Sequence, residues 1–221
     1  MDRLRMEYFQ YGDKEMAYLK AQDPALGAVI DRFGHLERAV MPDLFEALVR
    51  AIVGQQISVQ AVRTVFGRMQ EDLGAITPET ILKRSEDEIQ AYGMTFRKAQ
   101  YIRSAAERIA SGEIDLDSLH ELDDKAVEQL LVQLDGVGPW TAEMLMIFSL
   151  QRPDVISFGD LAIIRGMKRI YGYEKVTREI FRKHRETYSP YATTAALYIW
   201  KAAADVPDAP GVPDEATGGL G

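Results

Sequence analysis

"LDGVGPWTAEMLMIFSL", Leu134–Leu150, is the stretch whose reading decides the fold. Gly136 and Gly138 flank Val137 and open backbone angles closed to other residues, leaving their amides uncovered. Pro139 lacks an amide, and its fixed φ suits the first turn of a helix whose next N–H groups point out of the positive end. The segment that follows is apolar almost all round and must be buried. Upstream, Val127, Leu130, Leu131 and Leu134 recur at helical spacing over residues 124–134. The stretch therefore reads as a helix, a Gly-Val-Gly loop and a second helix. Two uses are open: a plain turn with Val137 plugged into the core, or a compact seat for an anion such as a phosphate, which needs no side-chain charge.

The same helical pattern extends outward. Asp13 is placed to cap a first helix carrying Met16 and Leu19. "DPALGAVIDRFG" (23–34) offers Asp23 as cap, Pro24 at the first helical position, Leu26, Val29, Ile30 and Phe33 on one face, and Gly34 as a stop. Residues 43–53 align Leu44, Leu48, Ala51 and Ile52, and Ser58 can cap a helix with Val59, Val62, Phe66 and Met69 inward. Further helices are expected over 78–90, 96–111, after Asp160, and over 176–186 and 191–203. Two-residue alternation is confined to a short piece near Met6–Tyr11, so the fold class is all-α. The domain reading is N-terminal helices 1–42 packing with the C-terminal part, a central helical domain 43–150 containing the hairpin at 124–150, a loop-and-helix segment 151–204, and a tail 205–221. From Val206 the tail, "VPDAPGVPDEATGGLG", has almost nothing to bury and reads as disordered.

A chain of 221 residues, 47% hydrophobic and 27% charged, can bury a real core as one domain or two small ones. It has no apolar run of membrane length and no charged-then-apolar leader, so no membrane partner and a cytoplasmic location are expected. Cysteine is absent, which excludes a disulfide, a thiolate zinc site, a cysteine nucleophile and an iron–sulfur cluster. His35, His120 and His184 are too scattered to suggest a metal site. The net charge of −8 argues against binding nucleic acid through bulk charge. Four of the acids, Asp205, Asp208, Asp214 and Glu215, sit in the last stretch, however, and residues 160–186 hold eight Lys/Arg against four Asp/Glu. Arg97, Lys98, Arg103 and Arg108 form a second basic cluster. Solvated helix faces and phosphate contacts are both open for these runs.

Position by position, Leu134-x-Gly-Val-Gly-x-x-Thr-Ala resembles the helix–hairpin–helix of DNA-binding proteins. "ISFGDLAIIRGMKRIYG" (156–172) follows it with Gly159-Asp160 ahead of a helix, as in the helix–hairpin–helix DNA glycosylases with a Gly/Pro-rich loop and catalytic aspartate, the HhH-GPD superfamily. "LVRAIVGQQISVQAV" (48–62) resembles that superfamily's wedge region. "YGMTFRKAQYI" (92–102) and "YSPYATTAALYIW" (188–200) resemble its alkylation-repair branch. The blocks keep the family's order and are most similar to the 3-methyladenine DNA glycosylase II (AlkA-like) group, in a compact form without the N-terminal β-domain. The resemblance implies two small helical subdomains flanking an active-site cleft. The implied partner is double-stranded DNA containing damaged bases, and the implied assembly is a monomer. The implied reaction is hydrolysis of the N-glycosidic bond of a flipped-out alkylated purine, which leaves an abasic site in base excision repair. Trp140 stands where bifunctional relatives carry a Lys nucleophile, so no Schiff base can form and a water-using, monofunctional enzyme is implied. Ala192 replaces an Arg found in many relatives.

The resemblance also assigns roles. Asp160 is the catalytic carboxylate, stabilising the positive charge that develops on the sugar as the bond breaks. By position alone it is a helix N-cap; the two roles are compatible, since a helix start favours negative charge. Trp140 and Trp200 match the base-pocket walls, where an indole face attracts a cationic alkylpurine by roughly 0.5–2 kcal/mol; ordinary core packing is the alternative for each. Met144, Leu161 and Gln55 are the other pocket candidates, and Gln56 is the wedge that fills the gap left by the flipped base. Gly136, Val137, Gly138, Thr141 and Arg165 are assigned to phosphate, with Lys168, Arg97 and Lys98 as further candidates. No cofactor is required; the hairpin carbonyls of Leu134 and Gly136 are expected to hold a sodium or potassium ion. A catalytically silent DNA-binding protein of the same fold, a glycosylase for other damaged bases, and a helical scaffold with a glycine turn are the competing readings.

Overall fold

The computed structural model describes residues 7–205. Among them are twelve α-helices and one 3₁₀ helix, and no strand. The helices are α1 (Asp13–Gln22), α2 (Pro24–Phe33), α3 (Leu44–Gly54), α4 (Val59–Leu73), α5 (Pro78–Leu82) and α6 (Glu86–Gln90). They continue as α7 (Phe96–Ala110), α8 (Asp124–Leu131), α9 (Pro139–Phe148), α10 (Leu161–Tyr171), α11 (Arg178–Tyr188) and α12 (Ala192–Ala204). The alternation near Tyr11 yields a single antiparallel bridge, Tyr8 with Ala39. The tail from Val206, with its expected disorder, lies outside the described residues, as does Met6. No helix among the described residues is long and apolar enough to cross a membrane.

Three element boundaries differ from the sequence expectation. Asp13 is the first helical residue rather than the cap: Gly12 holds that position, and its amide donates to Glu15 Oε2 at 2.8 Å. The single helix expected over 78–90 is two, because Ser85 restarts the chain. Its hydroxyl accepts from Glu88 N at 3.2 Å, and its amide donates back to Glu88 Oε2 at 2.7 Å. The helix before the hairpin stops at Leu131, and turns carry the chain to Leu134.

The chain divides into two compact units, residues 7–40 with 151–205 and residues 41–150. In the first, α10 packs on α12, and the approach is so close that a Cβ on Gly166 would sit 2.2 Å from the carbonyl oxygen of Ile199. Leu19, Leu26, Ile163, Met167 and Tyr198 fill the core. A polar network crosses it. Asp23 caps α2 through Leu26 N at 3.0 Å and accepts from the Tyr171 hydroxyl at 2.7 Å; that hydroxyl lies 2.6 Å from Tyr188 Oη. His184 Nδ1 lies 3.5 Å from the same carboxylate. In the second unit α3 and α9 are buried nearly all round, as their continuous apolar runs require.

Candidate active site

The hairpin buries its valine and leaves the start of α9 without a side-chain cap. Val137 is buried with 6% of its surface exposed, and its amide closes a turn onto Leu134 O at 3.1 Å. Gly138, exposed, is the N-cap of α9, and no side chain caps that helix. One residue thus anchors the loop in the core while the next leaves the positive end of α9 uncapped by any side chain, which suits an anion. Gly136 has φ +79°, and the Tyr101 ring lies where its side chain would be, Cδ2 2.4 Å from a built Cβ. Thr141 and Met144 are buried and Trp140 is half-buried.

Helix α7 braces this loop along one face. Tyr101 covers Gly136, Ser104 Oγ donates to Asp135 Oδ2 at 3.0 Å, and Arg108 donates to Gln133 O. At the start of the same helix, Lys98 Nζ donates to Val53 O at 2.7 Å and Gln55 O at 2.6 Å, taking up carbonyls at the end of α3. Gln55 Nε2 in turn donates to Gly136 O at 2.7 Å. Burial pulls the Lys98 ammonium below its ordinary pKa. Lys98, Arg103 and Arg108 are each half-buried and bonded to backbone carbonyls of the protein, where the sequence offered Lys98 as a phosphate contact or a solvated charge. Arg103 donates to Arg84 O and pairs with Glu107 at 3.2 Å, and only Arg97 stands wholly exposed. Gln55, expected at the base pocket, has its amide nitrogen committed to the hairpin. Gln56 is exposed and has φ +59°. That conformation costs a residue with a side chain roughly 1–3 kcal/mol and is typical of a working position.

In the other unit, Asp160 is the N-cap of α10. Its Oδ1 accepts from Ala162 N at 2.7 Å and Ile163 N at 3.0 Å, and only 8% of the residue is exposed. The loop leading to it is tied to α12. Thr193 Oγ1 accepts from Val155 N at 2.9 Å and donates to Arg152 O at 2.6 Å, while Asp154 Oδ1 accepts from Ala192 N at 3.2 Å and Oδ2 from Ser189 Oγ at 2.7 Å. Trp200, half-buried near the end of α12, has the Arg38 guanidinium 6.0 Å from its ring centroid. Leu161 is 80% exposed on the first turn of α10, and Arg165 and Lys168 are exposed further along.

The carbonyls of Leu134 and Gly136 are neutral oxygens of the kind that suit a hard monovalent cation. Each already accepts one hydrogen bond, from Val137 N and from Gln55 respectively, and each has a second lone pair. Among the described residues no group of three or more His, Asp and Glu could hold a metal ion.

Sequence reasoning missed Lys98 as a brace, Tyr101, Thr193, Gly166 and Arg38. Their partners are remote in sequence, and only Gly166, a glycine inside an otherwise apolar helix pattern, carried a local signal.

A family model described as "HhH-GPD superfamily base excision DNA repair protein" matches residues 49–190. The chain is 35% identical to DNA-3-methyladenine glycosylase 1 of Schizosaccharomyces pombe over 162 residues, covering 71% of each chain. It is 27% identical to a DNA-3-methyladenine glycosylase of Bacillus subtilis over 81% of this chain and 63% of that one. Among solved structures, DNA-3-methyladenine glycosidase from Bacillus halodurans superposes with a TM-score of 0.82 at 36% identity, over 90% of this chain and 93% of the other. The S. pombe 3-methyladenine DNA glycosylase in complex with abasic DNA gives 0.73 at 30% identity, over 85% and 95%. By this match and by its hairpin, loop and aspartate, the chain belongs to the HhH-GPD superfamily of base excision DNA repair proteins.

Proposed function

We propose that this protein is a monofunctional DNA glycosylase that removes alkylated purines of the 3-methyladenine type from duplex DNA. The observation that carries the reading is Asp160, a buried carboxylate fixed by two amides of its own helix, within a chain similar to two DNA-3-methyladenine glycosylases at 35% and 36% identity. A carboxylate so held cannot swing away as charge develops, and preorganisation of that kind stabilises a cationic transition state. Asp160 faces the sugar as the glycosidic bond breaks and orients the water that attacks the anomeric carbon; the base departs with the bonding electrons. An N-alkylated purine already carries positive charge and leaves as a neutral base, so no dedicated general acid is required. Trp140, in place of an amine nucleophile, supports hydrolysis without a covalent intermediate.

Each unit offers an indole face suited to a cationic base, Trp200 in the one and Trp140 in the other; Gln56 fills the space the base vacates, and the uncapped start of α9 binds the backbone phosphate. A monovalent cation held by Leu134 O and Gly136 O would add a positive charge for that phosphate. The reading is tested by single-turnover base release from duplex DNA containing methylated purines. Wild type should release the base, and Asp160→Asn should bind the lesion but slow release at least about 100-fold. Equal release by the two proteins would refute the role of Asp160. Lesion binding without release by either would make the protein a silent lesion binder.

A further inference from the structure

We infer that Lys98 is a positioning residue for base flipping: by bonding the last carbonyls of α3 it sets the wedge loop in register with the phosphate-binding hairpin. The inference rests on the glycosylase reading above and adds to it a residue whose polar contacts lie within the protein. Lys98 Nζ reaches Val53 O and Gln55 O, at 2.7 and 2.6 Å. These carbonyls end α3 next to Gln56, which is held in the left-handed region at φ +59°. The side chain of the same Gln55 donates to Gly136 O at 2.7 Å. Three residues along α7, Tyr101 covers the α-carbon of Gly136. Positions three apart share a helix face, so one face of α7 grips the wedge loop at one point and the hairpin at the next.

The consequence is mechanical. A wedge works only if the side chain enters the base stack at the level of the nucleotide whose phosphate is held. The ammonium supplies two donors to two carbonyls of one loop end. Without them Gln55 keeps its side-chain bond to Gly136 O, but the end of α3 loses both of these bonds to α7, and Gln56 can relax to a negative φ. The bond-breaking groups lie on other elements, and the variant keeps them. Loss of Lys98 should therefore slow extrusion of a paired base and spare cleavage of a base already unpaired.

The test compares wild type, Lys98→Met and Lys98→Arg in single-turnover release of a methylated purine, once opposite its Watson–Crick partner and once in a one-nucleotide bulge. A 2-aminopurine beside the lesion reports flipping directly. We expect Lys98→Met to lose 10-fold or more on the paired lesion, with a matching loss of the 2-aminopurine signal, and to stay within 2-fold of wild type on the bulge. Lys98→Arg, which keeps the donors, should recover most of the loss. Equal loss on both substrates, or no loss on either, overturns the inference while wild-type release still stands. Absence of release by wild type instead defeats the underlying function. If Lys98→Met does not fold, Lys98→Gln, which keeps a donor of shorter reach, replaces it and must show the same preference for the bulge.

Discussion

Gly136 and Tyr101 exclude each other's side chains: a Cβ on the glycine would lie 2.4 Å from Cδ2 of the ring, in a backbone conformation of φ +79°. Two independent penalties meet at one position, steric overlap and a left-handed φ. We expect Gly136→Ala to cost about 1–3 kcal/mol and to weaken binding to duplex DNA. Pairing it with Tyr101→Ala removes the overlap but not the strain, so denaturant melts of the double variant should show partial recovery at most. A Gly136→Ala protein with wild-type stability and affinity would mean the hairpin tolerates a different loop geometry.

Asp160 serves as a helix cap and, in our reading, as the catalytic carboxylate; the two roles separate by substitution. Asparagine keeps an oxygen that can accept from Ala162 N and Ile163 N, whereas alanine does not. Asp160→Asn should melt within a few tenths of a kcal/mol of wild type and Asp160→Ala about 1 kcal/mol below it. Both should lose base release alike. Thermal melts paired with release rates check this, and activity that followed stability would reduce Asp160 to its structural role.

Gly166 should tolerate no side chain. The atom its Cβ would meet at 2.2 Å is the backbone oxygen of Ile199, which cannot rotate away. Gly166→Ala must push α10 from α12, the two helices whose ends hold Asp160 and Trp200. We expect a loss of roughly 1–3 kcal/mol from overpacking and a fall in base release larger than the loss of folded protein explains. Circular dichroism melts with activity normalised to the folded fraction would show it.

Asp23 makes the first unit sensitive to acid. Burial by itself raises its pKa, but hydrogen bonds from His184, Leu26 N and Tyr171 together outweigh burial and hold the carboxyl below its ordinary value of 3.8. A depressed folded pKa means the stabilisation is fully present above the unfolded value and disappears as pH falls through the folded one. Stability should therefore drop below about pH 4 by more in wild type than in Asp23→Asn. Urea melts from pH 7 to pH 3 measure the difference, and parallel curves for the two proteins would remove Asp23 from the account.

Base release by wild type and its loss in Asp160→Asn would tie these effects to one reaction. The hairpin, its loop and the aspartate were all legible because their signals are local. A Gly-Val-Gly loop, a Pro at a helix start and an Asp ahead of an apolar helix act within three or four residues, and that is the range over which helices are specified. The cap at Asp13 and the continuous helix over 78–90 went wrong over the same range, where Glu15 and Ser85 competed successfully for the amides.

The sequence by itself determined that the chain is helical, where the Gly-Val-Gly hairpin loop lies and which carboxylate stands at a helix start, because backbone angles and hydrogen bonds to near neighbours decide those features. The tertiary structure alone decided what Lys98, Gln55 and Arg108 do. Their carbonyl partners lie 45, 81 and 25 residues away, beyond the range of any local pattern. Only the packing of α7 beside α3 and the hairpin brings those carbonyls within reach, where unpaired backbone oxygens away from water are costly enough to draw the side chains inward.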